Sequence, residues 1–223
     1  MKYYSHINGL RAISVLLILF YHAGFEVFKY GFIGVDVFFV ISGYVITLQM
    51  GKLYTANPST FLREFYSRRI KRILPSSLLV TIASVLATSY FLGPVAANEA
   101  KLDGVWTTLF LGNFHFHTMA LDYFATGTQP SPLQHYWSLS IEEQFYLLWP
   151  ALFLLLAIRV KTQRVKQIFL LSVIVISLFS ALYLAELKNE PIFFITTTRI
   201  WELAFGALLA ISAISVRVPK VFI

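Results

Sequence analysis

The spacing of its charges constrains this chain most. Seven apolar runs, Ala12–Phe25, Val37–Met50, Ile73–Ala97, Val105–Leu121, Gln144–Ile158, Gln167–Ala185 and Leu203–Val216, fill most of its 223 residues. Only 13% of residues are charged and 57% are hydrophobic, with a mean hydropathy of +0.70. A water-soluble domain carries about 25% charged residues, so this chain lacks the polar surface to face water and lipid must be its outer solvent. A helix needs about 20 mostly apolar residues to span the hydrocarbon. The expected fold is therefore all-α, a polytopic transmembrane helix bundle.

Several runs are shorter than a span, and to cross they must draw a neighbouring charge into the membrane. Arg11 is that charge for the first, Asp36 for the second, Glu142 and Glu143 for the fifth, and Arg199 and Glu202 for the last. Each costs about 2.5–3.5 kcal/mol at mid-bilayer and less near the interface. A passive scaffold has little reason to bear that repeatedly, so the pattern points to an active polar interior.

The formal charge is +7 and the isoelectric point about 9.6. In a soluble protein this would suggest nucleic acid. Here the basic residues gather between apolar runs, in Gly51–Arg72 and Arg159–Lys166, which is the positive-inside signature and gives no reason to expect a nucleic-acid partner. Both segments are expected to be cytoplasmic loops, with the N-terminus cytoplasmic and Glu26–Tyr30 outside. No small-residue cleavage site follows the first run, which reads as a retained span and not a removed signal peptide.

Parity then selects among the runs. Ile73–Ala97 leaves the cytoplasm and the chain must return by Arg159, yet two apolar runs lie between. Val105–Leu121 is the weaker, with Asn113, His115 and His117 inside it and the Gly/Pro/Ser-rich stretch Gly127–Pro132 behind it. It is expected to be re-entrant or interfacial, packed against protein. About six spans remain, in a single transmembrane domain over residues 1–223.

The polar residues suggest chemistry. Arg11 and His22 are eleven residues apart, on nearly one helix face and roughly 16 Å apart along the axis. His22, Asp36, Glu142, Glu143 and Glu202 share the outer half, an arrangement suited to a histidine general base held by a carboxylate. Arg69 and Arg72, three apart, can face one phosphate-bearing ligand if helical. With no cysteine, thiolate catalysis, disulfides and Cys-based metal sites are excluded. No ligand spacing among His115, His117 and His135 supports a metal. His117 and Asp122 match the His-x4-Asp spacing of glycerolipid acyltransferases, a two-residue pattern that chance explains.

Five segments together resemble the acyltransferase-3 family of bacterial membrane proteins, which O-acylate cell-surface polysaccharides and other acceptors. They are Arg11 with His22; Gly31-Phe-Ile-Gly34-Val-Asp36-Val-Phe38-Phe39-Val-Ile-Ser42-Gly43; Arg69-Ile-Lys-Arg72-Ile-Leu-Pro75; His135-Tyr-Trp137-Ser138-Leu-Ser-Ile-Glu142-Glu143-Gln-Phe145-Tyr146; and Arg199-Ile-Trp201-Glu202-Leu-Ala-Phe-Gly206. The resemblance implies His22 as the catalytic base, Arg11 as its same-helix companion, and Asp36 and Glu142 as functional carboxylates. It implies Arg69 and Arg72 as the pair that holds acetyl-CoA, the acyl donor, with no metal. Trp137, Ser138, Arg199 and Glu202 are the expected substrate-binding residues for a carbohydrate hydroxyl. The expected location is the bacterial cytoplasmic (inner) membrane. Family members have about ten spans, sometimes followed by an esterase-like domain, so the chain reads as C-terminally shortened.

Other readings of the same residues stand beside these. His22, Asp36 and Glu142 also suit the proton relay of a transporter, although no internal repeat is visible. An inactive fragment is a third possibility. Asp36 is equally a helix N-cap, Gly31, Gly34, Ser42 and Gly43 are equally close-packing positions, and Trp137 and Tyr146 are equally packing or interface aromatics.

Overall fold

The computed structural model describes residues 5–54, 57–126, 131–187 and 191–216, in which helices joined by short turns are present and no strand is. Eight helices follow in order: α1 (Ser5–His22), α2 (Ile33–Leu53), α3 (Pro58–Phe91), α4 (Gly93–Thr108), α5 (Gly112–Thr126), α6 (Tyr136–Arg159), α7 (Gln163–Glu186) and α8 (Thr196–Val216). α2, α3, α6 and α7 are each long and apolar enough to cross a bilayer, and α1 is a shorter apolar helix. The helical membrane bundle expected from the charge spacing is therefore present. Of the stretch Gly127–Pro132, residues 127–130 lie outside the described part.

Two boundaries differ from the sequence expectation. The basic segment Gly51–Arg72 is mostly helix, because α3 starts at Pro58 and runs 34 residues. Asn57 caps it, its Oδ1 accepting from the backbone N–H groups of Ser59 (3.1 Å) and Thr60 (3.3 Å), with proline at the first helical position. Arg68 pairs with Glu64 one turn earlier, within the helix that carries the basic run. Likewise α6 ends at Arg159 and α7 begins at Gln163, which puts Arg164 and Lys166 in helix.

The second difference is the break in Ile73–Ala97. α3 ends at Phe91, and Gly93 at φ +85° turns the chain into α4, with Pro94 in its first turn. α4 runs back along α3, so that Gly104 lies against Thr81 and Val85. A second turn follows at Leu109–Leu111, where Phe110 takes a left-handed φ of +55°, and α5 reverses direction. Val105–Leu121 is thus not one segment but the tip of a helical hairpin. Its arms of 16 and 15 residues are both too short to span.

The chain divides into two compact units. The first comprises residues 1–52, 160–176 and 200–223, and the second 53–159 and 177–199. In the first, glycines bring helices into backbone contact. A Cβ on Gly31 or Gly34 would meet the carbonyls of Leu17 or Ser14 on α1, and one on Gly43 or Gly206 would meet the carbonyl of Leu203 or of Val40 across the α2–α8 crossing. The side-chain amides of Gln163 and Gln167 on α7 donate to the Ile211 carbonyl (2.9 Å) and the Ser212 hydroxyl (3.1 Å) on α8. In the second, Phe116, Leu133, Tyr136 and Phe194 form a core. Trp149 stacks with Phe145 at 5.6 Å nearby on α6.

Candidate functional site

In the first unit, His22 ends α1 and is exposed. Its Nδ1 lies 2.9 Å from the carbonyl of Ile18, one turn earlier. A carbonyl only accepts, so Nδ1 carries the proton and Nε2 is the nitrogen that can receive one. The ring also stands edge-on to Tyr21 at 5.0 Å. The Ile18 carbonyl thereby fixes the tautomer from the Nδ1 side of the ring. Arg11 is half-buried on the same helix, with its guanidinium 5.9 Å from the Phe38 ring and Nε buried without a hydrogen-bond partner. Asp36 lies in the first turn of α2, three residues past its start, and is not the N-cap. Glu202 on α8 is fully buried.

In the second unit, α3, the hairpin tip and α6 enclose a cleft of about 430 Å³. Phe65, Tyr66, Arg69, Ile70, Ile73 and Leu74 line it from α3, Leu109, Phe110 and Leu111 from the tip, and Glu143, Gln144, Tyr146 and Leu147 from α6. The Arg69 guanidinium lies over the Tyr146 ring at 4.5 Å and near Phe65 at 5.9 Å, a cation–π seat in the cleft wall. Arg72, on the same helix, is exposed and does not line the cleft. The two arginines predicted to face one ligand are thus one in the cleft wall and one at the surface.

Neighbouring carboxylates divide similarly. Glu142 and Glu143 are about 100° apart around α6. The cleft takes Glu143, while Glu142 is buried at 6% exposure. Glu143 Oε1 is buried and has no hydrogen-bond partner. The sequence reading weighted Glu142 by its place in the motif. Helix phase alone could have flagged its neighbour as the residue on a different face, but not which face meets the cleft.

A neutral network fixes the cleft floor. Gln144 Nε2 donates to the Phe110 carbonyl (3.0 Å) and to Asn113 Oδ1 (2.8 Å), and its Oε1 accepts from Thr196 (2.7 Å). Asn113, fully buried, donates to the Phe194 carbonyl (3.0 Å) and Thr196 Oγ1 (3.1 Å). These bonds tie the strained tip to α6 and to the start of α8. Above the tip, His115 Nε2 and Asp103 Oδ1 are 2.7 Å apart, with side chains 11% and 4% exposed, and Trp106 stacks on the imidazole at 5.6 Å. His115 thus has a carboxylate partner that the sequence does not announce, because Asp103 lies between the apolar runs Ile73–Ala97 and Val105–Leu121.

The residues expected to bind substrate are partly occupied with packing. Trp137 meets Phe193 at 5.7 Å and Phe194 at 5.8 Å, and the Arg199 guanidinium lies 5.9 Å from its ring. Ser138 donates to the His135 carbonyl of its own chain segment (3.2 Å). His117 lies on α5, while the side chain of Asp122 is outside the described part.

The peptidoglycan O-acetyltransferase OatA of Listeria monocytogenes is 37% identical over 214 residues, covering 94% of this chain and 34% of that protein. The O-acetyltransferase OatA of Staphylococcus aureus is 36% identical over 210 residues, covering 94% of the chain and 34% of its own length. The chain spans about a third of each of these relatives. No solved structure matches it. The family described as an acyltransferase domain, acyltransferase-3, matches residues 4–217, nearly the whole length, and the chain therefore belongs to that family.

Proposed function

We propose that this chain is the membrane part of an O-acetyltransferase, taking an acetyl group from acetyl-CoA on the cytoplasmic side to a hydroxyl of a cell-surface carbohydrate. The relatives named as peptidoglycan O-acetyltransferases support a cell-wall polysaccharide as that acceptor. The observation that carries the reading is the His22 imidazole, whose Nδ1 bond to the Ile18 carbonyl leaves Nε2 as the basic nitrogen. In the first unit His22 supplies the base, and in the second Arg69 and Arg72 hold the donor's phosphates. The acceptor O–H gives its proton to His22 Nε2 while its oxygen attacks the thioester carbonyl carbon. The C–S bond then breaks, and the departing sulfur takes the proton from the imidazolium, which restores the base. Asp36 and Glu142 are the carboxylates proposed to stabilise the imidazolium.

Two measurements test this. Acetyl-CoA should bind the purified protein in detergent saturably, and an Arg69→Ala, Arg72→Ala double variant should lose that binding. His22→Ala should keep donor binding and membrane insertion but lose acetyl transfer by at least about 10²-fold, the scale of general-base catalysis. Transfer at the wild-type rate in His22→Ala would reject the base assignment.

A further inference from the structure

The cleft in the second unit holds one polar atom that the fold does not use. Tyr66 donates its hydroxyl proton to the Leu147 carbonyl at 2.7 Å. Both ends of the Gln144 side chain are engaged by Phe110, Asn113 and Thr196. Glu143 Oε1, in contrast, is buried and without a hydrogen-bond partner. A buried acceptor left unmade carries a real cost, and such groups in a cleft mark a missing donor. Glu143 and Arg69 line the same cleft, and most of its wall is apolar, with Ile73 and Leu111 typical of it.

The unmet acceptor and the apolar wall specify a ligand class: an extended chain with methylene stretches for the wall and an N–H donor for Glu143. A volume of about 430 Å³ is in the range of small-molecule sites and far exceeds an acetyl group alone. We infer that this cleft seats the amide-bearing arm of the acyl thioester donor, with Glu143 Oε1 accepting one of the arm's amide N–H groups. The inference rests on the donor reading proposed above, and it gives the arm a subsite adjoining the phosphate site at Arg69. Glu143 thereby acts as a substrate-contacting residue, and the hairpin tip is the wall against which the arm lies.

The test compares two probes on the purified full chain in lipid nanodiscs. Acetyl-CoA carries the arm, and adenosine 3′,5′-bisphosphate carries phosphates but no arm. Glu143→Ala should weaken acetyl-CoA about tenfold, the scale of one hydrogen bond to a charged group, and leave the bisphosphate unchanged. Glu143→Gln keeps an acceptor oxygen and should fall between the two. Unchanged bisphosphate binding also shows that the variants are folded. If Glu143→Ala weakens both probes equally, the carboxylate acts only on Arg69 and the arm contact is wrong. If it weakens neither, as when a lipid tail or water fills the cleft, the inference also fails. In both cases the donor reading survives provided Arg69→Ala, Arg72→Ala still abolishes binding. No binding of either probe to wild type overturns both.

Discussion

Gly9, Gly43 and Gly206 all sit within helices, yet they face opposite demands. A Cβ at Gly9 meets nothing within 4 Å, whereas at Gly43 or Gly206 it would run into backbone of the facing helix. Alanine at Gly9 should therefore stabilise α1 by about 0.5–1 kcal/mol, the usual glycine penalty in a helix. Alanine at Gly43 or Gly206 should destabilise by about 1–3 kcal/mol, because backbone cannot yield as a side chain does. Thermal unfolding of the three variants in one detergent decides it, and equal shifts would refute the close crossing. The sequence marks Gly43 as a close-packing position and sets Gly206 in a motif, but a glycine does not disclose its partner. The same blindness separates Glu142 from Glu143. The motif that contains them was legible, but the cleft that one of them enters is built by residues up to 78 positions away on α3.

At the scale of elements, spans were the legible part, because their signal is local: length and hydropathy suffice for α2, α3, α6 and α7. The hairpin was only half legible. Its polarity and shortness pointed to a segment that does not cross, but the turns at Gly93 and Leu109–Leu111 split the apolar runs out of phase with their charges. Its stability depends on a pairing between arms that no local pattern announces, the Asp103–His115 contact at 2.7 Å. A buried hydrogen bond to a carboxylate contributes roughly 1.5–3 kcal/mol, and a surviving partner left alone costs more. Asp103→Ala and His115→Ala should each destabilise by that amount or more. The double variant should recover part of the loss, because no orphan remains. Additive losses in a double-mutant cycle would show that the pair does not staple the hairpin. Since Phe110 and Leu111 line the cleft, loosening the staple should also weaken acetyl-CoA binding in proportion.

For the whole molecule the open question is sidedness, and the composition makes it easy to address. The chain has no cysteine, so single cysteines can be introduced without preparing a background. The lysine and arginine distribution predicts that the N-terminus and the α6–α7 connection face the cytoplasm. On the six-span expectation from the sequence, Val27→Cys, Val95→Cys and Ser131→Cys should react with an impermeant maleimide in intact cells. Lys161→Cys should react only after the membrane is opened. Val27 is 89% and Val95 75% exposed, so access will not be limited by packing. The decisive comparison is Val95 against Ser131, which flank the hairpin formed by α4 and α5. Arms of 16 and 15 residues rise only about 24 and 23 Å, below the roughly 30 Å of hydrocarbon, so both flanks must emerge on one side. Labelling of the two from opposite sides would mean that the segment crosses. That result would reverse the orientation of every helix after α5, and with it place Arg159 and Lys161 on the outer face against the charge rule.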